Sequence, residues 1–113
     1  MHRTRVQDLP FIGMSYNFVG ADQGDTTVSS YLVNAPPGKG PPPHHHPYDK
    51  VAFVQSGRAR WTVKGESFET TAGDILVVKA GEIHNFINIG DETLVQLDVH
   101  ISPRFIHTNV GAA

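Results

Sequence analysis

The sequence predicts an all-β protein folded as one small barrel, and three observations predict it. Eleven glycines and eight prolines cut the 113 residues into short pieces. No piece carries a sustained 3.6-residue apolar repeat, so no long amphipathic helix is expected. Several pieces alternate instead with the two-residue period of half-buried strands.

The elements follow in order. Val28–Val33 is rich in β-formers and is stopped by Ala35-Pro36-Pro37-Gly38. Val51–Gln55 is a dense apolar run closed by Ser56-Gly57. Arg58–Val63 alternates charged or polar with apolar residues, then turns at Lys64-Gly65. Ser67–Thr70, Ile75–Val78, Asn85–Ile89 and Leu94–Ile101 are each bounded by Gly, Asp or Pro. Turn signals at this spacing indicate a sandwich or barrel. A chain of 113 residues has room for one core, so residues 1–113 are expected to form a single domain.

Composition excludes several functions. There are no cysteines, so disulfide and thiolate chemistry are absent. The net charge is -2 with both signs scattered, which offers no phosphate-tracking face, and nucleic acid is not an expected partner. No apolar run approaches the roughly 18 residues of a membrane span. The segment from Met1 to Pro10 lacks an apolar stretch of the secretory kind, so the expected location is cytoplasmic.

The chemistry lies in the histidines. In an extended segment His44 and His46 point to one face and His45 to the other. Two imidazoles about 7 Å apart along a strand can share a metal ion. A solvated His-rich loop is the simpler reading of that pair taken alone.

The surroundings decide between them. Gly38, five residues, His44-His45-His46, three residues, Lys50, six residues and Gly57 resemble the first cupin motif. Gly73, seven residues, Gly81, two residues, His84, three residues and Asn88 resemble the second. The resemblance therefore places motif one at residues 38–57 and motif two at 73–88. It implies a double-stranded β-helix, or jelly-roll, barrel with a metal inside. The ligands it implies are His44, His46 and His84, together with position 50.

Position 50 departs from the pattern, with lysine where the family carries glutamate. An ammonium about 5 Å from a dication is repelled by roughly 6–7 kcal/mol at an effective dielectric of about 20. Lys50 escapes by losing its proton, by snorkelling out of the barrel mouth, or by replacing the metal and anchoring an anion. Asp49 is the nearest substitute carboxylate, but its parity is opposite and a bulge would be needed. Three imidazoles suit zinc, iron, nickel or copper as a divalent cofactor, and Mn(II) less naturally.

Further candidates for contact with a substrate are Tyr48, Lys50, Gln55 and His100. Tyr48 shares the inward parity and sits either on the ligand or in the rim. Gln55 lies in the cavity or on the surface. The alternation of Leu94–His100 most simply turns His100 outward into solvent; the alternative is an interior position, with Asp98 orienting an imidazole. His2 and His107 lie in terminal segments that nothing ties to the site. The expected function is that of a small metalloenzyme of dioxygenase, isomerase, lyase or cyclase type acting on a small oxygenated molecule. The alternative is a metal-free cupin that binds small-molecule anions through Lys50. Small cupins pair through N-terminal strands, so the resemblance implies a homodimer, with apolar residues of Pro10–Met14 and Arg104–Ile106 available to cover.

Overall fold

The computed structural model describes residues Met1–Val110. A single turn of 3-10 helix, Val6–Asp8, precedes the strands. In chain order these are β1 (Phe11–Ile12), β2 (Ser15–Phe18), β3 (Ser29–Ala35), β4 (His44–His45), β5 (Lys50–Ser56) and β6 (Arg58–Val63). They continue with β7 (Glu66–Thr71), β8 (Ile75–Val78), β9 (His84–Asn88), β10 (Leu94–His100) and β11 (Thr108–Asn109). Two sheets result, one ordered β1-β2-β3-β10-β5-β8 and the other β11-β4-β9-β6-β7. The chain is all-β, as its punctuation predicts. The hairpin β1–β2 and the short strands β4 and β11 were not foreseen; each has only two to four residues, too few for an alternation to register.

The interior is graded from apolar to polar. Ala35, Leu94 and Ala59 fill one end, and Val33, Val54, Trp61 and Phe86 lie above them. Beyond this layer the same strands carry Asp98, Lys50, His100 and His84, each 2 % exposed or less. Register fixes the order: Leu94 faces Ala35, Gln96 faces Val33 and Val54, and His100 faces Ser29 and Lys50. Apolar packing therefore closes one end of the barrel and leaves the polar chemistry at the other.

Two glycines hold the frame. Gly57 turns β5 into β6 at φ +91°, and a Cβ there would press on the Leu94 Cα at 3.0 Å. Gly40 lets the incoming proline run lie against β9; a Cβ at this position would overlap the Phe86 carbonyl. That close approach brings His44 opposite His84 in the β4–β9 pairing.

The outer face of the six-stranded sheet is unusual for an uncovered surface. Register links Ile75, Phe53, Leu97, Leu32, Tyr16 and Phe11 in one row across all six strands. A second row joins Val77, Val51, Val99, Ser30 and Phe18. Strand residues facing out of this sheet include no charged side chain. Ile75, Val77 and Phe11 are 63 %, 62 % and 52 % exposed.

Candidate metal centre

Three imidazoles converge inside the polar end. The ligating nitrogens of His44, His46 and His84 all lie within 4.8 Å of one another. His44 opens the two-residue strand β4, His46 directly follows its end, and His84 takes the first position of β9. The sequence-predicted trio is therefore brought together. His45 turns to the other side of β4 and is only half-buried.

Hydrogen bonds set the form of each ring. His44 Nδ1 donates to the Pro42 carbonyl at 2.7 Å, His46 Nδ1 to the Ile106 carbonyl at 2.7 Å, and His84 Nδ1 to the Glu82 carbonyl at 2.8 Å. A carbonyl oxygen only accepts, so each Nδ1 carries the proton and each neutral ring presents a bare Nε2. The Nε2 atoms of His46 and His84 are buried without a partner. Buried, unpartnered lone pairs aimed into one space fit a divalent transition metal, and backbone carbonyls behind the ligands are the usual orienting partners.

Burial keeps these rings neutral. Desolvation first, then the Ile106 hydrogen bond opposing it and the Lys50 charge, bring His46 to about 4 from the ordinary 6.5. Desolvation and Lys50 bring His84 to about 3. His44 is lowered chiefly by burial. As pH falls through 6.5 the unfolded chain takes up protons that the folded rings refuse, so the native state loses stability. Chelator-treated protein is therefore expected to melt at steadily lower temperature between about pH 6.5 and about pH 4. A melting temperature constant over that window would contradict buried neutral histidines.

Lys50 does not snorkel. It is 2 % exposed, and its Nζ donates to Asp98 Oδ2 at 3.1 Å. The ammonium also lies 5.3 Å from the centre of the Trp61 ring. Asp98 is held in turn by Gln96, whose Nε2 donates to Oδ1 at 2.7 Å. The position where the family carries glutamate thus holds a charge pair, and the aspartate offsets the repulsion expected of a bare ammonium. Asp49 takes no part: it sits outside and pairs with Lys79 Nζ at 2.6 Å and the Ala80 amide at 2.9 Å.

Other expectations change. His100 is wholly buried, because the polar face of β10 is the inward one and Val95, Leu97 and Val99 turn outward. Its neighbour Asp98 pairs with Lys50 instead of orienting an imidazole. Gln55 is exposed and lies on the side of β5 opposite Lys50, Ala52 and Val54, so it does not line the cavity. Tyr48 is half-buried, and its hydroxyl bonds His100 Nδ1 at 2.7 Å. A cavity of about 260 Å³ opens on His44, His46, Lys50, Asp98 and His100.

The C-terminal segment, which the sequence did not connect to the site, builds part of it. The Ile106 carbonyl orients His46, and the Ile106 amide donates to the Tyr48 hydroxyl at 3.2 Å. Phe105 stacks on Tyr31 with ring centres 3.8 Å apart, and His107 lines the cavity with its ring 6.0 Å from His44. The signal that was available is Pro103, three residues past the end of β10, which bars the chain from continuing as a strand.

The sequence profile of the Cupin domain family matches residues 31–100. The chain belongs to the cupin family. Among solved structures, this cupin is similar to oxalate decarboxylase from Bacillus subtilis at pH 4.6, with TM-score 0.83 and 28% identity over 94% of this chain and 31% of that one. The Bacillus enzyme has Mn(II) centres. It also shares its fold with an oxalate oxidase, at TM-score 0.76 and 23% identity over 85% of this chain and 54% of that one. In sequence it is 34% identical over 81 residues to a Streptomyces cyaneus protein called polyketide synthase CurC, covering 71% of this cupin and 52% of the relative. This cupin spans about half the length of the curated relatives it matches. Among the described residues no helix is long and apolar enough to cross a membrane.

Proposed function

We propose that this cupin binds one divalent transition metal through His44, His46 and His84 and acts on a small oxygenated organic molecule in the cavity beside it. The observation that carries the reading is the common form of the three rings, each with Nδ1–H fixed to a backbone carbonyl and Nε2 free. When bound, the ion would supply Lewis-acid or redox chemistry at a position left open by three protein ligands. The chain's own residues do the rest. Lys50 and Asp98 hold each other in place at the cavity wall, and Lys50 retains N–H donors for a ligand's oxygen. His100 adds a polar group to the lining and Tyr48 holds it from behind, while Val33 and Phe86 supply apolar wall.

The test is elemental analysis of untagged protein after incubation with Zn(II), Fe(II), Ni(II), Cu(II) or Mn(II) and removal of free metal. About one ion per chain is expected. No bound metal under any of these conditions overturns the reading and favours the metal-free one, with Lys50 anchoring an anion.

The partner proposed for the outer face is a second copy of this chain. With strands about 4.8 Å apart and about 3.4 Å per residue, the face measures roughly 25 by 20 Å, the scale of the ~800 Å² that a standard interface buries per partner. A surface without charge fits the interior of a homodimer contact, and it does not fit an anionic membrane or nucleic acid. Face-to-face packing of two such sheets is a stable arrangement. Of the tail residues, Phe105 packs on Tyr31 of its own chain, while Ile106 stays exposed. Leu97→Glu, at the middle of the first row, is expected to convert a dimer into a monomer in sedimentation equilibrium with metal binding intact. A monomeric parent protein, or a variant that stays dimeric, overturns the assignment.

A further inference from the structure

Four buried imidazoles border the polar end of the barrel, and one of them is built the other way round. Tyr48 Oη accepts the Ile106 amide proton at 3.2 Å. Its own proton then needs an acceptor, and among the described residues the one it reaches is His100 Nδ1 at 2.7 Å. Reversing that bond would leave the phenol proton without a protein partner, the less favourable arrangement. His100 Nδ1 is therefore the acceptor, and the neutral ring carries its proton on Nε2. That Nε2 is buried without a protein partner, and His100 lines the cavity with its ring centre 4.6 Å from that of His46.

The charges point to what meets this proton. His44, His46 and His84 are neutral ligands, and the charges of Lys50 and Asp98 offset each other. A dication held by such a set faces no ligating carboxylate, so its charge is left for the incoming molecule to balance.

We infer that His100 is not a fourth metal ligand but the hydrogen-bond donor to an anionic oxygen, carboxylate or enolate, of a molecule bound at the metal, and that Tyr48 is the positioning residue that fixes its proton on Nε2. This rests on the metal-binding reading above. The three lone pairs take the cation, and the His100 N–H takes the oxygen beside it. A ligand with two oxygens close enough to chelate satisfies both. Val33 and Phe86 on the same cavity leave room for an apolar remainder.

The experiment has two arms. Long-range 1H–15N correlation spectra of histidine-labelled, metal-free protein read the proton on each ring. His44, His46 and His84 are expected with Nδ1 protonated, and His100 with Nε2 protonated. In Tyr48→Phe the His100 signature is expected to move to a mixture of forms. The second arm titrates malonate into the zinc-loaded protein by calorimetry. His100→Phe is expected to keep about one zinc per chain and to weaken malonate binding about ten-fold or more, as the loss of a hydrogen bond to a charged group does. His100→Gln, which restores an N–H, is expected to recover part of that loss, and Tyr48→Phe to lose several-fold without loss of zinc. Dispersion in the same spectra reports whether each variant is folded. Loss of zinc in His100→Phe, a proton on His100 Nδ1 in the parent protein, or unchanged malonate affinity each overturns the inference. If the parent protein takes no zinc, the metal reading fails, and the tautomers of the metal-free protein still decide the assignment of His100.

Discussion

Replacing Asp98 by alanine is expected to destabilise the protein by about 3–5 kcal/mol, the cost of leaving a buried charge without its counter-charge. Lys50 is 2 % exposed, and among the described residues Asp98 is the one carboxylate bonded to it. The same change removes the acceptor of Gln96 Nε2, whose Oε1 is already buried without a partner. At roughly 4 °C per kcal/mol for a domain of this size, the melting temperature falls by at least about 12 °C. Lys50→Met combined with Asp98→Leu removes both charges, and this variant is expected to be as stable as the parent or more so. Thermal and urea denaturation of the metal-free proteins checks both. An Asp98→Ala loss below about 1 kcal/mol would mean that Lys50 finds solvent or another partner, and would remove the case for a buried pair.

His84→Ala is expected to abolish metal binding. It removes one of three nitrogens, and two imidazoles alone fall short of the three or four protein ligands of ordinary sites. His84 also stands 6.3 Å from Trp61 with the rings nearly parallel, so truncation leaves a hole beside the buried indole. Retained metal is expected to fall from about one ion per chain to near none after passage over a desalting column. His45→Ala is the control: it is adjacent in sequence but turned to the other side of β4, and full occupancy is expected. A His84→Ala protein that keeps its metal would place the ion elsewhere.

Much of the fold was legible because its strands are short, alternating and separated by Gly and Pro. β6, predicted at Arg58–Val63, has those bounds, with Ala59 and Trp61 inward and Arg58 and Arg60 outward. The histidine trio was legible through the resemblance to the two cupin motifs, since the spacing of His44 and His46 taken alone reads more simply as a solvated loop. His44, His46 and Lys50 keep a common inward direction even though β4 ends at His45 and β5 begins at Lys50. What misled was β10. Its polar residues alternate with Val95, Leu97 and Val99, and the usual rule buries the apolar set. Here the polar set is the site and faces in, so His100 ended up inside and the apolar residues outside. The fate of Lys50 was not legible either, because its partner Asp98 is 48 residues away and depends on the β5–β10 register. Gln55 has the opposite parity to Lys50, and strict alternation along β5 sends it outward.

The backbone of Ile106 gives both of its polar groups to the site, its carbonyl to the imidazole of His46 and its amide to the Tyr48 hydroxyl that bonds His100. The residue itself has an exposed side chain and belongs to a segment between β10 and β11 with few strand bonds of its own. The imidazole of His46 and the Tyr48–His100 pair are therefore tied to one backbone residue. Solvent exchange at a single amide, that of Ile106, is thus a gauge of how firmly the whole cavity is assembled.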